Sequence, residues 1–228
     1  MIATIVNSMT ILIGCIIGIL IKGKITQKIS TTIMNGLALC VLYIGISGSL
    51  EGENTLITII AMAIGALIGE VIDIDKYLNK LGDLLENKFS SKDKKTSISQ
   101  GFVSASLLFC VGAMSIVGSL QSGLNGNHEI IFAKSILDGI SAIIFSASLG
   151  IGVIFSSITV LIYQGTITIG ASFLSSILSD SVVTSMSAIG SLIIIGLGFN
   201  MLKITNIKVA NLLPAIIIPI ILGILNIM

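Results

Sequence analysis

From residue 136 to residue 177 the chain carries a single charged side chain, Asp138, in an otherwise apolar and small-residue run. At about 1.5 Å per helical residue such a run is about twice the ~30 Å thickness of a hydrocarbon core, so it turns once on its way. The turn is expected around FSSI, residues 155–158. With 54% of its residues hydrophobic and 10% charged, a chain of this length exceeds what one soluble domain can hide, and the class it implies is a polytopic membrane protein.

The same length rule places spans near 2–21, 31–50, 55–73 and 101–119, two within 136–177, and two more near 182–202 and 210–227, divided by KITNIK. The expected fold class is all-α: a transmembrane helix bundle of about eight spans forming a single domain, 1–228. The opening MIATIVNSMTILIGCIIGILIKGK has neither a basic n-region nor a small-residue cleavage site and reads as an uncleaved span.

Alternating spans put Lys22, Lys24, Lys28, Lys76, Lys80, Lys88, Lys92, Lys94, Lys95, Lys203 and Lys208 on one face, with Lys134 alone opposite. Glu51, Glu53, Glu129 and Asp180 fall on the other face. Lysine marks the cytoplasmic side, so both termini are expected outside. Between the third and fourth spans, residues 72–99 read as a cytoplasmic linker. Ile74, Tyr77, Leu78, Leu81, Leu84, Leu85 and Phe89 recur there at helical spacing, and the lysines at 76–95 suit an anionic lipid surface.

Gly14 with Gly18, and Gly65 with Gly69, leave grooves for close helix approach, within one chain or in a homo-oligomer. CVLYIGISGSL (40–50) and SLIIIGLGFNM (191–201) share an aliphatic run followed by Ile-Gly and a second glycine. They run in opposite directions, as members of a weak inverted repeat would.

Ionisable groups inside spans cost roughly 2.5 to 3.5 kcal/mol each at mid-bilayer and so point to function. Lys134 and Asp138 in KSILDG lie one helical turn apart on one face and can pair. With Asn127 as N-cap and Glu129 in the first turn, Asp138 falls about 16 Å along its helix. The pair either anchors the span at the outer interface or lines a pathway. The remaining pathway candidates are Gln164, Ser106, Cys110, Asn7, Asn35, Ser135 and Glu70. Their hydroxyls and amides can replace hydration water around a solute, or serve as glue between helices, and Glu70, at the inner end of the third span, reads first as an interfacial group. Cys15, Cys40 and Cys110 lie in apolar runs without CxxC or Cys/His spacing and read as buried free thiols rather than metal ligands.

Several functions are disfavoured. A formal net charge of +1 gives no reason for a nucleic-acid partner. No cofactor motif, GxSxG, HExxH or paired intramembrane aspartates occur, His128 is the single histidine and arginine is absent, so no enzyme is expected. GFVSASLLFCVGAMSIVGSLQSGLNGN, then KSILDG, SLGIGV and YQGTITI, with VNS near the start and VANLLPA near the end, resemble the bacterial YdfK/YqgA-like family, domain of unknown function 554. The family's pattern falls on Asn7, Phe109, Cys110, Gly112, Met114, Gly118, Gly123, Gly126, Lys134, Ser135, Asp138, Gly139, Gln164, Gly165 and Pro214, while Ser122 and Asn127 stand where similar proteins often have aspartates. The resemblance implies an integral membrane protein, and with it a bacterial cytoplasmic membrane as the expected location. The function expected is a transporter or channel for a small solute or ion; the alternative is a non-transporting scaffold or sensor acting through helix contacts.

Overall fold

Long apolar stretches without internal proline wind into helices, and no strand forms among the described residues. The computed structural model describes residues 1–22, 27–77, 80, 98–111, 113–174 and 177–225. Its main helices are α1 (Ile2–Lys22), α2 (Gln27–Leu50), α3 (Thr55–Ile72), α4 (Ile98–Cys110), α5 (Ala113–Leu124), α6 (Glu129–Leu149), α7 (Ser156–Ile169), α8 (Asp180–Met201) and α9 (Ile218–Ile224). Most of the 72–99 linker, including Leu78, Phe89 and the lysines from Lys88 to Lys95, lies outside the described residues, as do Lys24 and Gly112.

Six stretches are long and apolar enough to cross a membrane: α1, Thr31–Leu50 of α2, α3, α6, Ile151–Ile169 and α8. Two further passages are irregular. The straight span expected at 101–119 is broken instead, with α4 and α5 bent by 58°. Gly101 of α4 lies against Leu149 at the end of α6 and Val153 just beyond it, whereas Gly118 of α5 lies against Ile130 and Ile131 near its beginning. The bent pair therefore runs the length of α6 and is one broken crossing.

The other irregular passage is the span expected at 210–227. It is a 3-10 helix, Val209–Ile217, continued by α9. Asn211 packs against Gly69 and Ala215 against Gly65 of α3, and Gly223 reaches Val182 at the start of α8. At about 2.0 Å per 3-10 residue and about 1.5 Å per α residue, Val209–Ile224 extends over about 28 Å, longer than an α-helix of the same residues because the tighter 3-10 winding rises farther per residue. Pro214, inside the 3-10 stretch, has no N–H for an α-helical bond.

The long run at 136–177 does turn, but earlier than FSSI. Gly150 ends α6 with φ 86°, a conformation that favours glycine, and a 3-10 turn at Ile151–Phe155 leads into α7. Ser156 and Ser157 then open α7 and donate to the carbonyls of Val153 and Ile154 at 2.6 and 2.7 Å.

Small residues set the packing. Gly14 and Gly18 of α1 meet Gly139, Ala142, Ile143 and Ser146 of α6, so these two helices run parallel in close contact. The segments compared as a weak repeat pack antiparallel, with Gly45 and Gly48 of α2 against Ser191 and Ile195 of α8. A core that includes Phe109, Phe145, Ile189 and Ile193 lies between these layers. Lys22, Lys28, Lys76, Lys203 and Lys208 gather at the end where α1 finishes, and Glu51, Glu53, Glu129 and Asp180 at the end where it starts. Of the three thiols Cys15 is buried and Cys110 part-buried, but Cys40 is exposed on the outer side of α2, which corrects the expectation that all three are buried.

Two glycines give a paired test. A Cβ at Gly18 would overlap the Ser146 hydroxyl and the Ile143 carbonyl, while one at Gly36 meets nothing within 4 Å. Gly18→Ala is expected to lower stability by about 1 to 3 kcal/mol through overpacking. Gly36→Ala should leave stability unchanged or raise it by up to about 1 kcal/mol through helix propensity. Thermal unfolding of both variants in detergent checks the contrast.

Candidate functional site

Asp138 lies nine residues into α6, about 14 Å along a helix about 30 Å long, so it is close to mid-depth. The helix starts at Glu129 with His128, not the Asn127 expected from sequence, as its N-cap, although Asn127 Oδ1 accepts from the Glu129 N–H at 3.1 Å. Lys134 and Asp138 are each 6% exposed, which makes this a buried ion pair. The Lys134 ammonium donates to both carboxylate oxygens at 2.7 Å.

Three other helices complete the cluster. Asn7 of α1, fully buried, donates from Nδ2 to Asp138 Oδ2 at 3.0 Å and to Gln164 Oε1 at 3.2 Å. Gln164 of α7, also fully buried, donates to Ser115 Oγ on α5 at 3.5 Å, and Ser115 donates to the carbonyl of Phe109 at 2.9 Å. That last bond bridges the break between α4 and α5, satisfying a carbonyl that the interrupted helix leaves free. Among the described residues Asn7 Oδ1 has no hydrogen-bond partner. One turn towards the α1 start, Thr4 and Thr168 face each other at 3.4 Å, both buried, as an outer rung of the same polar ladder.

The sequence candidates separate into groups. Asn7, Lys134, Asp138 and Gln164 come together; Ser135 is beside them but donates to its own helix at Ile131 O, 2.7 Å away. Ser106 and Cys110 face a different feature, an apolar side cleft of two adjoining cavities of about 240 and 520 Å³ that share Ile116, Thr159, Tyr163, Met186 and Ile216. Ser106 donates to Thr159 Oγ1 there at 3.3 Å. Asn35 is exposed on α2, outside the cluster.

Glu70 is at the opposite end of the bundle, accepting from Lys208 Nζ at 2.6 Å and Asn211 Nδ2 at 2.7 Å. Its carboxylate holds the Lys208 ammonium above its ordinary value. Gly14 and Gly18 form the α1–α6 contact and Gly65 and Gly69 the contact with Val209–Ile217. The sequence reading missed Thr4 and the Phe109 carbonyl as members of the site; the signal for Thr4 was its place one turn before Asn7. Among the described residues no three His, Cys, Asp or Glu side chains gather to hold a metal.

A family model described as a protein of unknown function, DUF554, matches residues 2–224. The chain belongs to the DUF554 family. Within DUF554 it is 29% identical to the uncharacterized membrane protein YdfK of Bacillus subtilis strain 168 over 223 residues, covering 96% of this chain and 94% of the relative. It is 32% identical to the uncharacterized protein YqgA of Escherichia coli strain K12 over 216 residues, 93% of this chain and 92% of the relative. No solved structure matches the chain. As a DUF554 member with several apolar helices of spanning length, the protein is an integral membrane protein.

The buried pair makes a double-mutant prediction. Lys134→Ala strands the Asp138 charge and should cost about 3 to 5 kcal/mol, whereas adding Asp138→Asn to it should recover most of that loss, because the amide needs no counter-charge. Denaturation of the single and double variants in matched micelles measures the recovery.

Proposed function

We propose that this DUF554 chain is a transporter or channel that passes a small solute or ion across the bacterial cytoplasmic membrane. The observation that carries the reading is the buried polar cluster: four helices deliver Asn7, Ser115, Lys134, Asp138 and Gln164 to mid-depth, beside the break between α4 and α5. Polar groups at that depth are costly, and interrupted helices at mid-membrane are where transporters place their sites. The reading is non-enzymatic, since the cluster offers neither an activated nucleophile nor a second carboxylate beside Asp138.

The lysine-rich end is taken as cytoplasmic, which puts both termini outside and the Thr4–Thr168 rung towards the exterior. Lysines between 76 and 95 are assigned to anionic headgroups on the cytoplasmic side. A second reading, a scaffold that works through helix contacts with a second copy or another membrane protein, draws on α2 and α3, whose apolar windows are 17% and 22% buried.

After replacement of Cys15, Cys40 and Cys110, cysteines placed at Glu53 and Asn125 should react with an impermeant reagent on intact cells, and one at Asn206 only after permeabilisation. Labelling of Asn206→Cys from outside would refute the orientation. Proteoliposomes should take up at least one solute or ion faster than protein-free vesicles, and Asp138→Asn should remove that flux while the protein still inserts. Uptake at the protein-free leak rate for every solute and ion tried, together with a stoichiometric partner recovered by crosslinking in native membranes, would favour the scaffold.

A further inference from the structure

Two fully buried side chains at the polar cluster each carry an oxygen without a hydrogen-bond partner among the described residues: Asn7 Oδ1 and Ser119 Oγ. Buried polar atoms are seldom left so, because their desolvation is then not offset, and bound water is a common partner where protein supplies none. Ser119 lies on the stripe of α5 between Ser115, which accepts from Gln164, and Gly123, which lies against Thr168 and Ala171. Its depth is therefore that of the turn joining Gln164 to Thr168. Ser122, three residues further on, is buried and bonds His128 Nδ1 at 2.9 Å, and His128 is half-buried at the bundle end where α1 starts. Polar groups thus stand at every turn of α5 from the cluster to that end.

One turn in the other direction the same helices change character. Asn7 gives way to Ile11 on α1, Asp138 to Ala142 on α6 and Gln164 to Val160 on α7, and all three are fully buried. Phe145 of α6 and Phe109 of α4, each 1% exposed, join them in one packed core, with ring centroids 6.4 Å apart. Ser146, beside Phe145, turns its hydroxyl back to the Ala142 carbonyl of its own helix at 2.6 Å. A layer of aliphatic and aromatic groups packed in this way stays dry and closes a pathway to water.

We propose that the half of the cluster towards the start of α1 is a hydrated vestibule, in which Asn7 Oδ1, Ser119 Oγ and the Thr4 and Thr168 hydroxyls hold water that connects Asp138 to that face. The layer of Ile11, Val160, Phe109 and Phe145 seals it from the opposite face. A bound water needs two to four polar partners, and the named oxygens supply them. The ligand class is water, and with it small hydrophilic solutes that exchange hydration for hydroxyl and amide oxygens. Neither Lys134 nor Asp138 changes its protonation state. The inference deepens the transport reading by giving the end from which the site is entered, and rests on that reading only where a solute follows the water.

Access from the two faces is the test. Ser119→Cys, Thr168→Cys, Ile11→Cys and Val160→Cys are made singly in the full chain after Cys15, Cys40 and Cys110 are replaced. Silver ion, small enough to follow water, is added to intact cells and to inverted vesicles, and unreacted thiols are then counted with a mass-tagged maleimide after denaturation. Glu53→Cys, at the end where α1 starts, reports which preparation presents that end. From there, silver should block Ser119→Cys and Thr168→Cys at least about tenfold faster than Ile11→Cys and Val160→Cys, whereas from the opposite end all four should react slowly. Ser119→Ala, in the otherwise native chain, should lower the melting temperature because a water-bonded hydroxyl is lost; removal of an orphaned hydroxyl would raise it. That measurement stands by itself should a cysteine variant fail to fold. The proposal is overturned if Ser119→Cys and Thr168→Cys react no faster than Ile11→Cys and Val160→Cys from the α1-start end, if they react faster from the other end, or if Ser119→Ala raises the melting temperature. Silver access without flux of any solute would keep the vestibule and sink the transport reading; flux without silver access would do the reverse.

Discussion

A lysine and an aspartate held at 2.7 Å inside an apolar bundle set the terms for everything around them. Neither charge is stable there alone, so the two must stay together, and the carboxylate's remaining capacity must be met by groups that arrive from elsewhere. Asn7 meets it from α1, and Gln164 holds Asn7 in place from α7. This requires α1 to lie very close to α6, which the Gly14 and Gly139 backbones permit. Glycine contacts and buried polar bonds are thus two halves of one arrangement: the first brings the helices near, and the second fixes their rotation and register.

Two helix interruptions among the described residues fall where the freed backbone finds a partner. The break after Cys110 is bridged by Ser115, and the turn after Gly150 is closed by the hydroxyls of Ser156 and Ser157. Water and lipid offer no such service equally at all depths, so serine beside a break is a condition for having the break at all. The asparagine at 211 serves the same purpose at the opposite end, accepting from the Asp75 N–H at 2.7 Å while donating to Glu70.

Hydropathy and length made the regular spans legible, because a membrane admits few other solutions, and i,i+4 spacing put Lys134 and Asp138 on one face without any coordinates. Asn7 and Gln164 stood out as amides in apolar runs, but their meeting, 157 positions apart, is tertiary and left no mark in the sequence. Asn35 looked equivalent to them for a physical reason: lipid-facing and core-facing sides of a membrane helix are both apolar, so periodicity does not tell inside from outside. Cys40 was misplaced for the same reason. The 3-10 winding of Val209–Ile217 and the break within 98–124 were hidden because an apolar composition is satisfied by either geometry; Pro214 was the visible clue to the former.

That winding has a mechanical side. An α-helix of fixed length can only tilt or slide, but nine residues in 3-10 form are about 4 to 5 Å longer than the same nine in α form. Shortening the rise of Val209–Ile217 would therefore draw α9 towards Val209 along the segment's own axis, and Pro214 opposes a full α rewinding because it supplies no N–H for the α pattern. The wall formed by Leu213, Ile216, Ile217 and Ile220 along the apolar side cleft would travel with it, so the cleft's shape is tied to a change of helical pitch rather than to a rigid-body swing.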